Sequence, residues 1–153
     1  MNRCCDAMGV EREGAPMARL MMWHVDYFRA TPQEKGRSDV VQRGEVIDAK
    51  ESILVFVSFE KQDEGREEEV IEKSYGQING LSSQLGVKAV VLNPFAHLFG
   101  ELAKPDEASR MLAALGDRLE KGGFAVHRMA FGIFYTIELK AKGHRLSRVS
   151  RMV

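Results

Sequence analysis

The sequence is poor in the residues that would make its chemistry easy to name. Only two of its 153 residues are cysteine, and they are adjacent, Cys4 and Cys5. Such a pair builds no disulfide framework, which points to a reducing, cytoplasmic compartment. Net charge is missing too, because 22 Lys and Arg balance 22 Asp and Glu. That balance argues against a protein whose main task is to grip long stretches of nucleic acid, and leaves open docking to one end of an RNA. No apolar run approaches the roughly 18 residues a membrane span needs. The opening MNRCCDAMGVEREGAPM has no apolar core of a signal peptide. There is no P-loop, no GxGxxG after a strand and no GxSxG elbow. The four histidines, His24, His97, His127 and His144, are scattered with no HExxH-like spacing, so neither a metal nor another cofactor is expected.

What is present is the ordinary material of one soluble domain, with 44% hydrophobic and 29% charged residues. Residues 1–16 read as a disordered lead-in, and the pattern starts at Met17. ARLMMWHVDYF (18–28) reads as a buried strand, and Thr31 to Gly44 as a polar loop. SILVFVSFE (52–60) is apolar on both faces and suits a central strand. From Val70, apolar residues Ile71, Tyr75, Ile78, Leu81 and Leu85 recur at helical spacing, and Gly86 supplies a C-cap. VKAVVLN (87–93) is the next buried strand. Pro105 and Asp106 open a second helix with Met111, Leu112, Leu115 and Leu119 on one face, closed by Gly122 and Gly123. FAVHRMA (124–130) and IFYTIELK (133–140) read as strands. The two residues between them predict an antiparallel hairpin. The order of elements predicts an α/β or α+β domain, a mixed β-sheet with helices packed on it. Residues 145–153 carry Arg145, Arg148 and Arg151 without an acid, and read as a basic tail or the start of a linker.

Between the third strand and the second helix lies NPFAHLFGELAKP (93–105). Its histidine, His97, is either a packed residue or a substrate-facing one. His24 suits core or pocket wall equally. Tyr135 shares a strand face with Ile137 and Leu139, so it packs in the core or walls a pocket. Phe134, on the other face, offers a ring for stacking on a base or for an interface.

Four segments together resemble the N-terminal editing domain of archaeal threonyl-tRNA synthetases: RLMMWHVDYF, VFVSFEK, LNPFAHLFGELAKP, and AFG followed by KGHRLSR. The match runs over about 17–151, with the editing domain proper set at 17–144. It implies a D-aminoacyl-tRNA deacylase-like fold, usually dimeric, that hydrolyses serine from wrongly charged threonine tRNA. It also implies a partner, the aminoacylated 3′ end of tRNA(Thr), and an anticodon-binding domain in the full protein. The need for such a domain is physical. Serine is threonine without a methyl, and a synthetic site rejects the smaller residue by only about 1–3 kcal/mol. A second site must admit serine and exclude the extra methyl with close walls.

The resemblance assigns residues as follows. Pro94, Ala96 and His97 match the substrate-contacting segment, with Phe95 among its close walls. Phe131 and Gly132 match a segment whose main chain lies by the reacting ester. Ser58, Phe59 and Glu60 match the strand lining the serine pocket, and His24 and Asp26 the end of the first strand. Two positions depart from the pattern. Relatives carry Lys where this chain has Tyr135, and Glu where it has Arg148. Catalysis then falls to His97, to main-chain groups at Ala96 and Phe131 and to the tRNA's own 2′-hydroxyl. A deacylase for D-amino acids and a non-catalytic tRNA-binding or dimerisation module are the alternative readings.

Overall fold

The computed structural model describes residues 18–37, 40–95 and 102–153. The lead-in and two expected site residues, Ala96 and His97, lie outside them. The fold is a mixed α+β domain built on one seven-stranded sheet. Its strands are β1 (Arg19–Lys35), β2 (Ile47–Ala49), β3 (Ser52–Ser58), β4 (Ala89–Pro94), β5 (Ala125–Arg128), β6 (Ile133–Ala141) and β7 (Arg148–Met152). Helices α1 (Glu67–Leu85) and α2 (Pro105–Lys121) connect β3 to β4 and β4 to β5.

These two crossovers make β3, β4 and β5 parallel, in register Ile53↔Val90 and Val90↔Val126. Both helices pack on one face. Ile53, Val55 and Val57 of β3, with Val90 and Leu92 of β4, join Ile78, Leu81, Met111, Leu115 and Leu119 of the helices in the larger core. The alternate residues Leu54 and Val91 point the other way, into a second core with Phe28, Ala30, Ile47 and Met129. A strand covered on both faces has to be apolar throughout, which is why SILVFVS shows no alternation. Ile53 and Leu54 are both fully buried, and truncating either to Ala costs about 2–5 kcal/mol.

Strand β1 is the spine. One edge pairs antiparallel with β3 and then β2; the other pairs with β7 and then β6. A register shift between Val25 and Tyr27 marks a bulge. Before it the even residues Leu20 and Met22 face the helices; after it the even residues Phe28 and Ala30 face the second core. One extra residue thus moves the second half of β1 to the opposite layer.

Three expectations fail here. The predicted hairpin of 124–130 with 133–140 does not form: β5 pairs with β4, and β6 with the second half of β1. The connection is tied elsewhere, because Gly132 accepts a hydrogen bond from Gly36 N–H and Phe131 one from Gln42 N–H. Thr31 to Lys35 is strand rather than loop, completed by β6 (Thr31↔Thr136, Pro32↔Tyr135). Its polar residues hide it because most are exposed, and Pro32 is accommodated beside a second register shift. Finally, the residues read as tail or linker contain β7, paired with β1 from Arg19↔Met152 to Trp23↔Arg148. The two helices, their apolar faces and the left-handed C-cap Gly86 agree with expectation.

Candidate functional site

The carboxyl ends of β3 and β4 and the segment following β5 enclose a cavity of about 230 Å³. In parallel sheets this end is where ligands bind, because the chain leaves the strands there in loops. The volume falls below the roughly 300–1,000 Å³ of common small-molecule sites, a size for a small group. Of the residues expected from the sequence, Ser58, Phe59, Pro94, Phe95, Phe131, Gly132 and Tyr135 line it. Ala96 and His97, beyond Phe95, lie outside the described residues. The sequence reading missed Asn93, Met129, Ala130 and Ile133, and Ala108 and Leu112 of α2, which also line it. Asn93 stands at the head of a motif already singled out; the others became visible only when β5 and α2 converged.

Each wall has a local cause. Phe95 donates its N–H to the Val57 carbonyl, extending the β3–β4 ladder past Pro94. Its ring meets Phe56 edge-on at 5.8 Å. Ala103 N–H bonds to the Phe59 carbonyl and holds the return of the chain before α2. On the opposite side, the main chain of Phe131 is clamped by Gln42: its N–H donates to Gln42 Oε1 at 3.0 Å and its carbonyl accepts from Gln42 N–H at 3.0 Å. Gly132 has φ +79°, and a Cβ there would lie 2.5 Å from the Val40 carbonyl oxygen. Only glycine fits this turn.

Tyr135, one of the two positions that depart from the resemblance, lines the cavity. Its hydroxyl accepts the Ala130 N–H at 2.8 Å, which fixes the wall segment. Arg148, on β7, holds its guanidinium over the ring of Trp23 on β1, 5.6 Å from its centroid, and does not line the cavity. Phe134 is 64% exposed on the outer face of β6. Among the described lining residues none is Asp, Glu, Lys, Arg or His.

Two buried polar side chains do line it. Ser58 Oγ is buried and makes no hydrogen bond among the described residues. Asn93 is buried as well. A buried polar group left unpaired costs about 1–3 kcal/mol, so such groups at a cavity wall need explaining.

Just beyond the cavity, the turn after β3 holds a second polar group. Glu60, expected in the pocket, is buried and pairs with Arg19 Nε at 2.5 Å. Its N–H donates to Asp63 Oδ2 at 2.7 Å. Asp63 is fully buried, and burial, reinforced by the neighbouring Glu60 charge, pushes its carboxyl up to about 6.

His24 and Asp26 fall elsewhere. They stand at the amino end of β3, about 20 Å from the Ser58 end at about 3.3 Å per residue. There they meet the KGH segment. His144 Nε2 and His24 Nδ1 are 2.8 Å apart, and His24 Nε2 lies 3.2 Å from Glu51. Lys142 Nζ bridges Asp26 at 2.5 Å and Glu51 at 3.3 Å. The Lys142 bond holds the Asp26 carboxyl below the usual carboxylate range, and Asp26 in turn raises the Lys142 ammonium. Leu146 N–H donates to His144 Nδ1. That fixes the order of donors when both rings are neutral: Leu146 N–H to His144, His144 Nε2–H to His24, His24 Nε2–H to Glu51. The cluster fastens the β6–β7 connection to β1.

Comparison with known proteins shows the family. Residues 18–153 match the model of the archaea-specific editing domain of threonyl-tRNA synthetase. The threonine–tRNA ligase of Thermococcus onnurineus is 36% identical over 141 residues, covering 88% of this chain and 22% of that protein. The ligases of Thermococcus kodakarensis and Methanosphaera stadtmanae are 35% and 32% identical with the same coverage. The chain thus spans about a fifth of the length of the curated relatives it matches. With a mixed sheet, two helices on one face and a small cavity at the strand ends, it belongs to the archaea-specific editing domain family of threonyl-tRNA synthetase.

Proposed function

We propose that this domain hydrolyses L-seryl-tRNA(Thr), releasing serine and sparing threonine. The observation that carries the reading is the cavity: about 230 Å³, apolar-walled, and free of charged side chains among its described lining. A seryl group needs little room, and the threonyl methyl must then meet close walls. The reaction is ester hydrolysis. Water adds to the acyl carbon, the bond to the ribose 3′-oxygen breaks, and that oxygen takes the proton.

With Tyr135 and Arg148 in place of Lys and Glu, the 2′-hydroxyl of the terminal adenosine is the group nearest the ester able to orient water. The Phe131 carbonyl has a second lone pair beyond the one used by Gln42, and Ala96 and His97 would complete the wall by main chain and shape. Phe134 offers a ring to the adenine. The substrate's tRNA body would be held by an anticodon-binding domain of the longer protein, because a chain with no net charge has few contacts to offer phosphates. The domain, with β7 as part of its sheet, acts in the cytoplasm as a homodimer.

The deciding experiment is single-turnover deacylation of L-seryl- and L-threonyl-tRNA(Thr) with enzyme in excess, alongside a seryl-tRNA ending in 2′-deoxyadenosine. Rapid loss of serine alone, slowed at least a hundredfold by the deoxy terminus, is expected. An undiminished deoxy rate would sink the role of the 2′-hydroxyl. One observation favours a second reading, a non-catalytic module: Tyr135 and Arg148 are both engaged in the fold, to Ala130 and Trp23. That reading expects neither ester to be cleaved.

A further inference from the structure

Two buried polar side chains, Ser58 and Asn93, stand in the wall of the cavity. Side chains alternate along β3 and β4, and the register Phe56↔Asn93 aligns them. Val57 and Leu92 face the helices, so Ser58 and Asn93 share the opposite face, one step apart diagonally. Ser58 is 1% exposed and Asn93 7%, and both line the cavity. The Ser58 hydroxyl has no hydrogen-bond partner among the described residues. Around them the lining is apolar: Pro94, Phe95, Met129 and Ile133. Between them the two side chains offer a hydroxyl, a carbonyl oxygen and an NH₂ group.

We infer that Ser58 and Asn93 form a hydroxyl-recognition pair that binds the side-chain hydroxyl of the aminoacyl group. A hydroxyl both donates and accepts, and this pair offers both counterparts. The inference rests on the proposed deacylase reading and adds a second selection to it. The apolar walls exclude an amino acid that is larger than serine. The polar pair rejects one that is as small but lacks the hydroxyl, because its entry would leave the buried Ser58 hydroxyl unpaired and offer Asn93 nothing to bond. Sites built to bind a hydroxyl discriminate far more sharply against its absence than apolar pockets do against a missing methyl. Alanyl-tRNA and glycyl-tRNA are therefore predicted to be poor substrates although they fit.

The test compares L-seryl- and L-alanyl-tRNA(Thr) in single turnover with this domain and its Ser58→Ala and Asn93→Ala variants. The unaltered domain is expected to cleave the seryl ester at least a hundredfold faster than the alanyl ester. Each variant should slow seryl cleavage by about 10–100-fold and change alanyl cleavage by less than about threefold, so the ratio collapses. A thermal melt of the ligand-free Ser58→Ala variant should be unchanged or raised, since no internal bond is lost. Equal rates on the two esters in the unaltered domain would overturn the inference and leave the deacylase reading standing. So would variants that slow both esters alike, or a lowered melting temperature for Ser58→Ala. A domain inactive on every ester would overturn both.

Discussion

The two ends of the central parallel strands are built on opposite terms. At the amino end, His24, Asp26, Glu51, Lys142 and His144 crowd together, and each finds a partner within 3.3 Å. At the carboxyl end, the cavity has no charged side chain among its described lining and holds a buried hydroxyl with no partner among the described residues. The difference runs against the habit of seeking function where titratable residues gather. Charges that satisfy one another have no capacity left for a substrate. Ser52 and Ser74 also bury unpartnered hydroxyls among the described residues, but of these only the Ser58 hydroxyl faces a cavity where a ligand can meet it.

The contrast can be broken most severely at Gly132. Its positive φ and the contact of a Cβ with the Val40 carbonyl mean that Gly132→Ala must move the wall. A stability loss of about 2–4 kcal/mol and a deacylation loss of at least tenfold are expected, read by thermal melting and single-turnover rates. An unchanged melting temperature would show that the turn adapts freely.

His24→Ala tests the other end. Loss of the two ring contacts and the buried volume should cost about 2–3 kcal/mol, with the folded variant deacylating within about twofold of the parent. A tenfold slower rate with folding intact would restore the substrate-binding role that the family resemblance gives to His24 and Asp26.

The smallest effect is a pH dependence from Asp63. Its folded carboxyl near 6 lies above its ordinary 3.8. Between those values the folded state holds a proton that the unfolded chain has lost, so for this group stability rises as pH falls from about 6 to about 4. Above 6 the cost of the buried charge is fully present. Asp63→Asn keeps an acceptor for the Glu60 N–H and removes the charge. It should stabilise the domain by about 1–2 kcal/mol at pH 7.5, with the gain shrinking at pH 4.5 in urea unfolding curves. An equal gain at both pH values would mean that burial of the charge is not the cause.

How much of this was legible beforehand varies with how local the signal is. The helical faces of α1 and α2 were readable because each depends on residues three and four apart, and their caps Gly86 and Gly122 lie next in sequence. The doubly buried β3 announced itself by being apolar throughout. The second half of β1 and all of β7 were not readable. They are polar strands whose only reason to be extended is the hydrogen-bonding edge of a partner far along the chain. The false hairpin has the same origin: Phe131 and Gly132 are enough for a tight turn, and it takes bonds from Gly36 and from Gln42, 89 residues before Phe131, to redirect the chain.

The site divides along the same line. Family motifs brought Ser58, Pro94, Phe95, Phe131, Gly132 and Tyr135 to one cavity. Those motifs also named His24 and Asp26, which stand at the other end of the sheet. The sequence by itself determined the identity of the family, the helices and the apolar strands, because these follow from patterns written within a few residues of one another. Only the tertiary structure decided which polar residues are spent on each other and which remain unpaired. A hydrogen bond depends on where two groups meet in space, and neither Ser58 nor His24 carries in its neighbours along the chain any mark of what it will meet.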